Sequence, residues 1–471
     1  MTIEGMTNEK KLPLAIVTLS IVIRHFFLPL DIRRSTLDTP AMLVRLSPRV
    51  ALVLLLSINL MNYVDRNILA AVEGKIGRDF HIGTNLTGWL PTAFLLAYMV
   101  FAPLFGVLAD RMSRWLIVGV GVIAWSLASG GSGAVNSFGL LLMMRLLIGV
   151  GEAAYGPVAP TLIADLYPVA DRGRVLAWFY AAIPVGSALG YVVGGLFDEH
   201  WHWAFYVTVP PGLALGIWAL CMRDPRHVND ESSIADTNPA AAEAATPAVV
   251  RKATKADYLA LLHNRSYVLV TLGMAMMTFA VGGIQFFMPR WLEGRGLSHA
   301  AGNTGLGGVI VVAGLVATLL GGWLGDKLRN RFSGSYFLVS GGGMLVSFPL
   351  FLLALVTPFP ACWALLFLTV FFLFLNTGPT NAIIANVTAP SVRATAFAAN
   401  IFVIHLLGDA ISPPIIGYIA NRFGRTDASG VFVENLNAGF MVVSGTIAIG
   451  GVLWLLGAKS LADDTARAEI T

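Results

Sequence analysis

Apolar residues in this chain fall into repeated runs of about twenty, separated by short polar links, and about twenty residues is what an α-helix needs to cross a bilayer core of roughly 30 Å. Barrel strands would be about half that length and would alternate apolar with polar positions. The runs predict membrane helices over 48–70, 86–109, 115–133, 137–164, 175–197 and 202–222. Six more follow, over 266–289, 302–325, 336–356, 361–389, 393–421 and 434–458. The expected fold class is an all-α membrane protein with twelve transmembrane helices in two six-helix bundles, 46–222 and 263–458. A polar segment over 223–262, rich in Ala, Asp, Glu and Pro, reads as the linker between them, and 459–471 as a short tail.

Residues 1–45 break the pattern. LPLAIVTLSIVI is apolar, but Arg24, His25, Asp31, Arg33 and Arg34 follow too closely for a span. A peripheral or disordered extension is expected there, with Met42 a candidate natural start and a cleaved signal peptide the alternative.

Composition agrees with a membrane protein: 56% hydrophobic, 12% charged and a mean hydropathy of +0.73, where soluble chains carry about a quarter charged residues. The net charge of +4 says less than where the basic residues stand. Arg111 and Arg114, Arg172 and Arg174, Arg223 to Lys255, Lys327 to Arg331, and Arg393 occupy alternate links and so share one side. By the positive-inside rule that side is cytoplasmic, which places both ends of the twelve-helix unit there, in the cell inner (plasma) membrane. Cys221 and Cys362 have no metal-ligand or disulfide spacing and read as small apolar fillers.

The chain also repeats itself. GVLADRMSR (Gly106 to Arg114) has a weaker copy in GWLGDKLRNR (Gly322 to Arg331), and ADRGRVLAW has a counterpart in PSVRATAF, with Arg174 matching Arg393. Two pseudo-symmetric halves are what a rocking, alternating-access carrier requires, because its site must lie between two bodies that tilt about it. Asp110, Arg111, Arg114 and Arg174, with Asp326, Lys327 and Arg393 in the copy, are candidate gating residues at one mouth; an ordinary charged loop is the competing reading.

Ionisable residues within spans cost several kcal/mol unless they face a cavity or a partner, so each is a functional candidate. Asp65 and Arg66 fall toward the outer end of the first predicted span, and RLLIGVGEAAYGPVAP in the fourth carries Arg145 and Glu152. These two are seven residues apart, nearly two helical turns, and share one face about 10 Å apart along the axis. A carboxylate that exchanges an arginine partner for an apolar setting binds and releases a proton. Glu152 is therefore the first candidate for proton coupling and Asp65 the second, with Arg66 and Arg145 as anion-binding groups. A static ion pair that fixes helix packing is the alternative. In the second half, HLLGDAISPPIIG sets His405 and Asp409 one turn apart, as a proton-sensitive gate or a plain interhelical hydrogen bond. Tyr98, Gln285, Asn376, Thr380 and Asn381 are candidate polar contacts to a substrate.

The GxLxDRxxR pattern, with the doubled six-helix plan, resembles the major facilitator superfamily over essentially residues 48–458. Within it, NYVDRN, GVGEAAYGPVAPTLIADLYP, IPVGSALGYVVGG and HLLGDAISPP together resemble the Spinster family, although NYxDR alone also occurs among anion:cation symporters of sugar acids. The resemblance implies export of lysolipids and sphingoid phosphates, and a cavity whose polar centre is Asp65, Arg66, Arg145 and Glu152. The expected function is thus proton-coupled transport of an amphipathic lysolipid-like or sphingoid-phosphate-like substrate. A proton-linked symporter of a small organic anion such as a sugar acid is the alternative. No HExxH, phosphate-binding GxxxxGK[ST] or nucleophile elbow occurs, and no basic face suits nucleic acid. The expectation is a transporter rather than an enzyme, without metal or cofactor, driven by a gradient with the proton as coupling ion. It is expected to act as a monomer among membrane lipids.

Overall fold

The computed structural model describes residues 48–167, 169–197, 200–224, 260–329, 331–389, 392–426, 430 and 432–470. The extension expected over 1–45 and most of the linker expected over 223–262 lie outside the described residues.

The chain is a succession of membrane-length helices. The first half comprises α1 (Pro48–Asp79), α2 (Thr84–Thr87) running into α3 (Trp89–Arg111), α4 (Arg114–Ala134), α5 (Phe138–Ala153) followed by α6 (Ala159–Leu166), α7 (Val169–Leu196), and α8 (His202–Tyr206) with α9 (Val209–Leu220). The second half comprises α10 (Arg265–Gly294), α11 (His299–Arg329), α12 (Ser335–Val356), α13 (Ala361–Phe374) with α14 (Thr377–Asn386), α15 (Arg393–Ile404) and a π-helical turn (His405–Asp409) leading to α16 (Ser412–Arg422), and α17 (Leu436–Gly457). A two-stranded antiparallel ribbon, β1 (Arg425–Thr426) and β2 (Phe432–Val433), joins α16 to α17. These make twelve spans in two six-helix bundles.

Ten spans are apolar and continuous enough to cross a membrane on length and hydropathy alone. The other two are the first and the fourth, which carry the candidate charges. The fourth is broken between α5 and α6, where GPVAP supplies a glycine and two prolines, and each proline removes a helical N–H donor. Contrary to the expected end at residue 70, the first helix runs 32 residues to Asp79. Asp65 and Arg66 therefore stand in mid-helix rather than near an end. The extension holds because Val72 and Ile76 are buried and Glu73 is covered by protein, so its charge does not force the chain into water.

Glycines let the spans approach backbone to backbone. A Cβ on Gly149 of α5 would stand 2.3 Å from the Phe94 carbonyl oxygen of α3, which brings the fourth span hard against the second. The stretch expected as a tail is instead α18 (Leu461–Ile470), and its Asp464 accepts a hydrogen bond of 2.9 Å from the Ser266 amide in the first turn of α10. A carboxylate there satisfies an otherwise orphaned helical donor.

Candidate functional site

Two helices of the first bundle, α1 and α5, bring Arg66, Glu152 and Arg145 together. Arg66 of α1 donates from Nε to Glu152 Oε2 of α5 at 2.7 Å, and its Nη2 lies 2.7 Å from the same oxygen. Its guanidinium also lies over the rings of Tyr63, Phe94 and Tyr98, 4.7–5.5 Å from their centroids. The predicted contact Tyr98 thus belongs to an aromatic collar around Arg66, and Phe94 and Tyr63, which the sequence did not single out, complete it. Arg66 keeps 24% of its side chain exposed, whereas Glu152 has none.

Arg145 sits on the same face of α5 as Glu152 and is 2% exposed. Its guanidinium lies 5.8 Å from the Phe94 ring. Nε and Nη1 have no hydrogen-bond partner among the described residues, and Glu152 Oε1 is likewise unpartnered. Asp65 faces another way, is 1% exposed, and accepts from Ser129 Oγ of α4 at 3.2 Å. The centre is therefore one formed pair, Arg66 with Glu152, beside one buried guanidinium with unused donors.

In the second bundle, His405 Nδ1 lies 2.9 Å from Asp409 Oδ1 across the π-turn, with about a quarter of each side chain exposed. The Tyr191 hydroxyl of α7 donates to the Gln285 carbonyl oxygen at 2.6 Å, so the Gln285 backbone meets the opposite bundle. Asn376 is buried and donates to the Leu373 carbonyl, while Asn381 is exposed and donates to the Thr377 carbonyl at 2.7 Å. Thr380 donates to the Asn376 carbonyl at 2.8 Å. These three side chains turn back on their own span.

Of the candidate gating residues, Arg114 is buried and pairs with Asp165 at 2.7 Å and Asp224 at 2.8 Å, both in its own half. Asp326 accepts from the Tyr336 hydroxyl at 2.7 Å, Lys327 lies over the Trp323 ring at 4.5 Å, and Arg393 donates to the Thr388 carbonyl at 3.2 Å. Arg111 is exposed at the end of α3. The side chains of Asp110 and Arg174 lie outside the described part of the structure.

The bundles meet at the other end through residues not singled out in the sequence. Arg290 of α10 bridges Glu73 of α1 at 3.0 Å and Glu434 at 2.7 Å, and the Thr87 hydroxyl donates to Glu73 as well. The Thr84 amide donates to Glu434 Oε1 at 2.6 Å and its hydroxyl to the Gly417 carbonyl at 3.0 Å. Thr92 donates to the Ala410 carbonyl at 2.5 Å, and Arg78 lies 3.5 Å from Glu293. Glu73 was legible as a charge inside an apolar helix had the first span been carried past residue 70. Arg290 and Glu434 stand at span ends, where a charge is unremarked. Arg290 and Glu434 line a polar cleft of about 1130 Å³ between the bundles, with Arg78 and Glu293. A second, apolar groove of about 580 Å³ runs along α3, α4 and α5 of the first bundle and presents no charged side chain.

The Major Facilitator Superfamily model matches residues 55–413. The chain is 34% identical over 444 residues to protein spinster homolog 3 of Danio rerio, covering 89% of this chain and 87% of that one. It is 35% identical over 441 residues to protein spinster homolog 1 of Homo sapiens, covering 88% and 81%. Among solved structures, it resembles a bacterial homologue of the human lysosomal transporter Spinster in an inward-facing, unoccupied conformation. That match has a TM-score of 0.74 at 19% identity over 90% of this chain and 98% of the other. A D-xylose–proton symporter shares the fold at a TM-score of 0.65 and 16% identity, over 86% of this chain and 96% of its own.

Proposed function

Because the chain belongs to the Spinster family of major facilitator superfamily transporters, we propose that it is a proton-coupled carrier of an amphipathic, anionic-headed substrate, lysolipid-like or sphingoid-phosphate-like, working by alternating access. The observation that carries this reading is the Arg66–Glu152 pair beside Arg145, whose Nε and Nη1 are buried without partners among the described residues. With Arg66, Arg145, Glu152 and Asp65 all ionised the centre sums to zero, and a proton on Glu152 makes it positive. That proton also weakens the hold on Arg66, leaving two guanidinium groups to grip a phosphate or carboxylate head. Proton and anion therefore favour each other's binding, which couples their movement in one direction.

The basic links support placing the Arg111, Lys327 and Arg393 end in the cytoplasm of a cell inner membrane, with Arg290 and Glu73 toward the outside. In that orientation the conformation described is closed outward. Rocking would open the Arg290 end and draw the basic ends together, where Asp110, Arg111, Arg114 and Arg174 and their counterparts act as the second gate.

Purified protein in proteoliposomes, with and without an imposed pH gradient, tests the reading by comparing a labelled lysolipid with a labelled sugar acid. Gradient-driven lysolipid movement is expected, and Glu152→Gln is expected to abolish the driving effect of the imposed gradient while leaving folded protein in the membrane. Sugar-acid movement alone would overturn the substrate, and an unchanged drive by the gradient would remove Glu152 from the proton path.

A further inference from the structure

The end where the bundles close holds a histidine that the central site does not use. His299 is buried at the first position of α11. Its Nε2 lies 3.0 Å from the carbonyl oxygen of Gly194, near the end of α7 in the opposite bundle. Its Nδ1 lies 2.5 Å from Glu293 Oε1 on the last turn of α10. A carbonyl oxygen only accepts, so Nε2 carries a proton. A second proton must then lie between Nδ1 and Glu293. It can be counted as imidazolium facing carboxylate or imidazole facing carboxylic acid, but a bare ring nitrogen and a bare carboxylate oxygen repel at that separation.

The approach of α7 to α11 is built into the sequence. A Cβ on Gly195 would lie 2.9 Å from Asn303 Cβ, and one on Gly307 would lie 3.0 Å from the Ala188 carbonyl oxygen. The charged groups around the pair are few among the described residues. Arg78 of α1 lies 3.5 Å from Glu293 Oε2, Lys75 of the same helix is within Coulombic reach of Glu293, and so is Arg290, one turn back on α10. Arg295 turns its guanidinium to the Ala354, Leu355 and Thr357 carbonyls at the end of α12. From α11 itself, the Asn303 amide comes within 3.5 Å of Nδ1.

We propose that His299 and Glu293 form a proton-operated latch between the bundles. The bridging proton leaves Nε2–H free to hold α11 against the Gly194 carbonyl; on its loss the one remaining ring proton is drawn to Nδ1 by the Glu293 carboxylate, Nε2 sets a lone pair against the Gly194 oxygen, and this end parts. The latch takes alternating access from the family reading and is independent of proton binding at Glu152.

The test uses the full chain in nanodiscs, with Cys221 and Cys362 replaced by alanine and spin labels at His200 and Val356, exposed positions of opposite bundles at this end. Distances are read by double electron–electron resonance as pH rises from about 5 to about 9, the range over which histidine ordinarily titrates. The long-distance population is expected to grow with pH, by up to about tenfold per unit for one proton. His299→Gln and Glu293→Gln should each flatten that response, while Glu152→Gln should preserve it. A distance distribution that ignores pH in the unmodified site, or a full response in either latch variant, rejects the latch. If His299→Gln fails to fold, Glu293→Gln decides alone. Loss of the response in Glu152→Gln with retention in the latch variants would return the pH sensitivity to the centre.

Discussion

Two nitrogens of Arg145, Nε and Nη1, are buried with no partner among the described residues, and each such donor costs about 1–3 kcal/mol. A guanidinium kept only for packing would be expected to have its donors satisfied. Arg145→Met should therefore leave thermal stability in detergent unchanged or higher while reducing transport of an anionic substrate at least about tenfold, as expected for a lost charge-assisted contact. A clear fall in melting temperature would instead make Arg145 a packing element. The sequence made Asp65, Arg66, Arg145 and Glu152 visible because a charge inside an apolar run has few explanations. It could not say which carboxylate holds which arginine, since that depends on how α1 and α5 are turned. The collar of Tyr63 and Phe94 was hidden too, because aromatic residues in a membrane span are ordinary lipid-facing or packing residues.

At the scale of the helix, periodicity and length gave every span, and the errors fell where a local rule met tertiary cover. The first helix outran its apolar run, and the fourth broke at GPVAP although its composition read as continuous. Glycine on α7 separates two roles on one helix. A Cβ on Gly186 would lie 2.7 Å from the Leu60 carbonyl oxygen within the same bundle, whereas one on Gly195 meets Asn303 of the other bundle. Gly186→Leu should destabilise the fold by about 1–3 kcal/mol, the usual range for overpacking, and lower the melting temperature. Gly195→Leu should leave melting nearly unchanged and move the His200–Val356 label pair toward its longer distance. Equal losses of stability in both variants would show that α7 and α11 pack as one body instead of as a seam that opens.

Across the whole molecule, the closed end rests on contacts between segments hundreds of residues apart, such as Thr84 with Glu434 and Glu73 with Arg290. Nothing local in the sequence announces such pairs, because each partner alone is an unremarkable polar residue near a span end. The buried guanidinium described above also bears on the kinetics of the transport cycle. An empty carrier must reorient with the Arg145 donors Nε and Nη1 unsatisfied in a low-dielectric interior, whereas a carrier holding an anion crosses with those donors filled. The return of the empty protein is then the slow leg. Preloading vesicles with unlabelled anion should accelerate uptake of labelled anion on the other side, so that one-for-one exchange outruns net flux; equal rates would show that the vacant carrier turns over as freely as the loaded one.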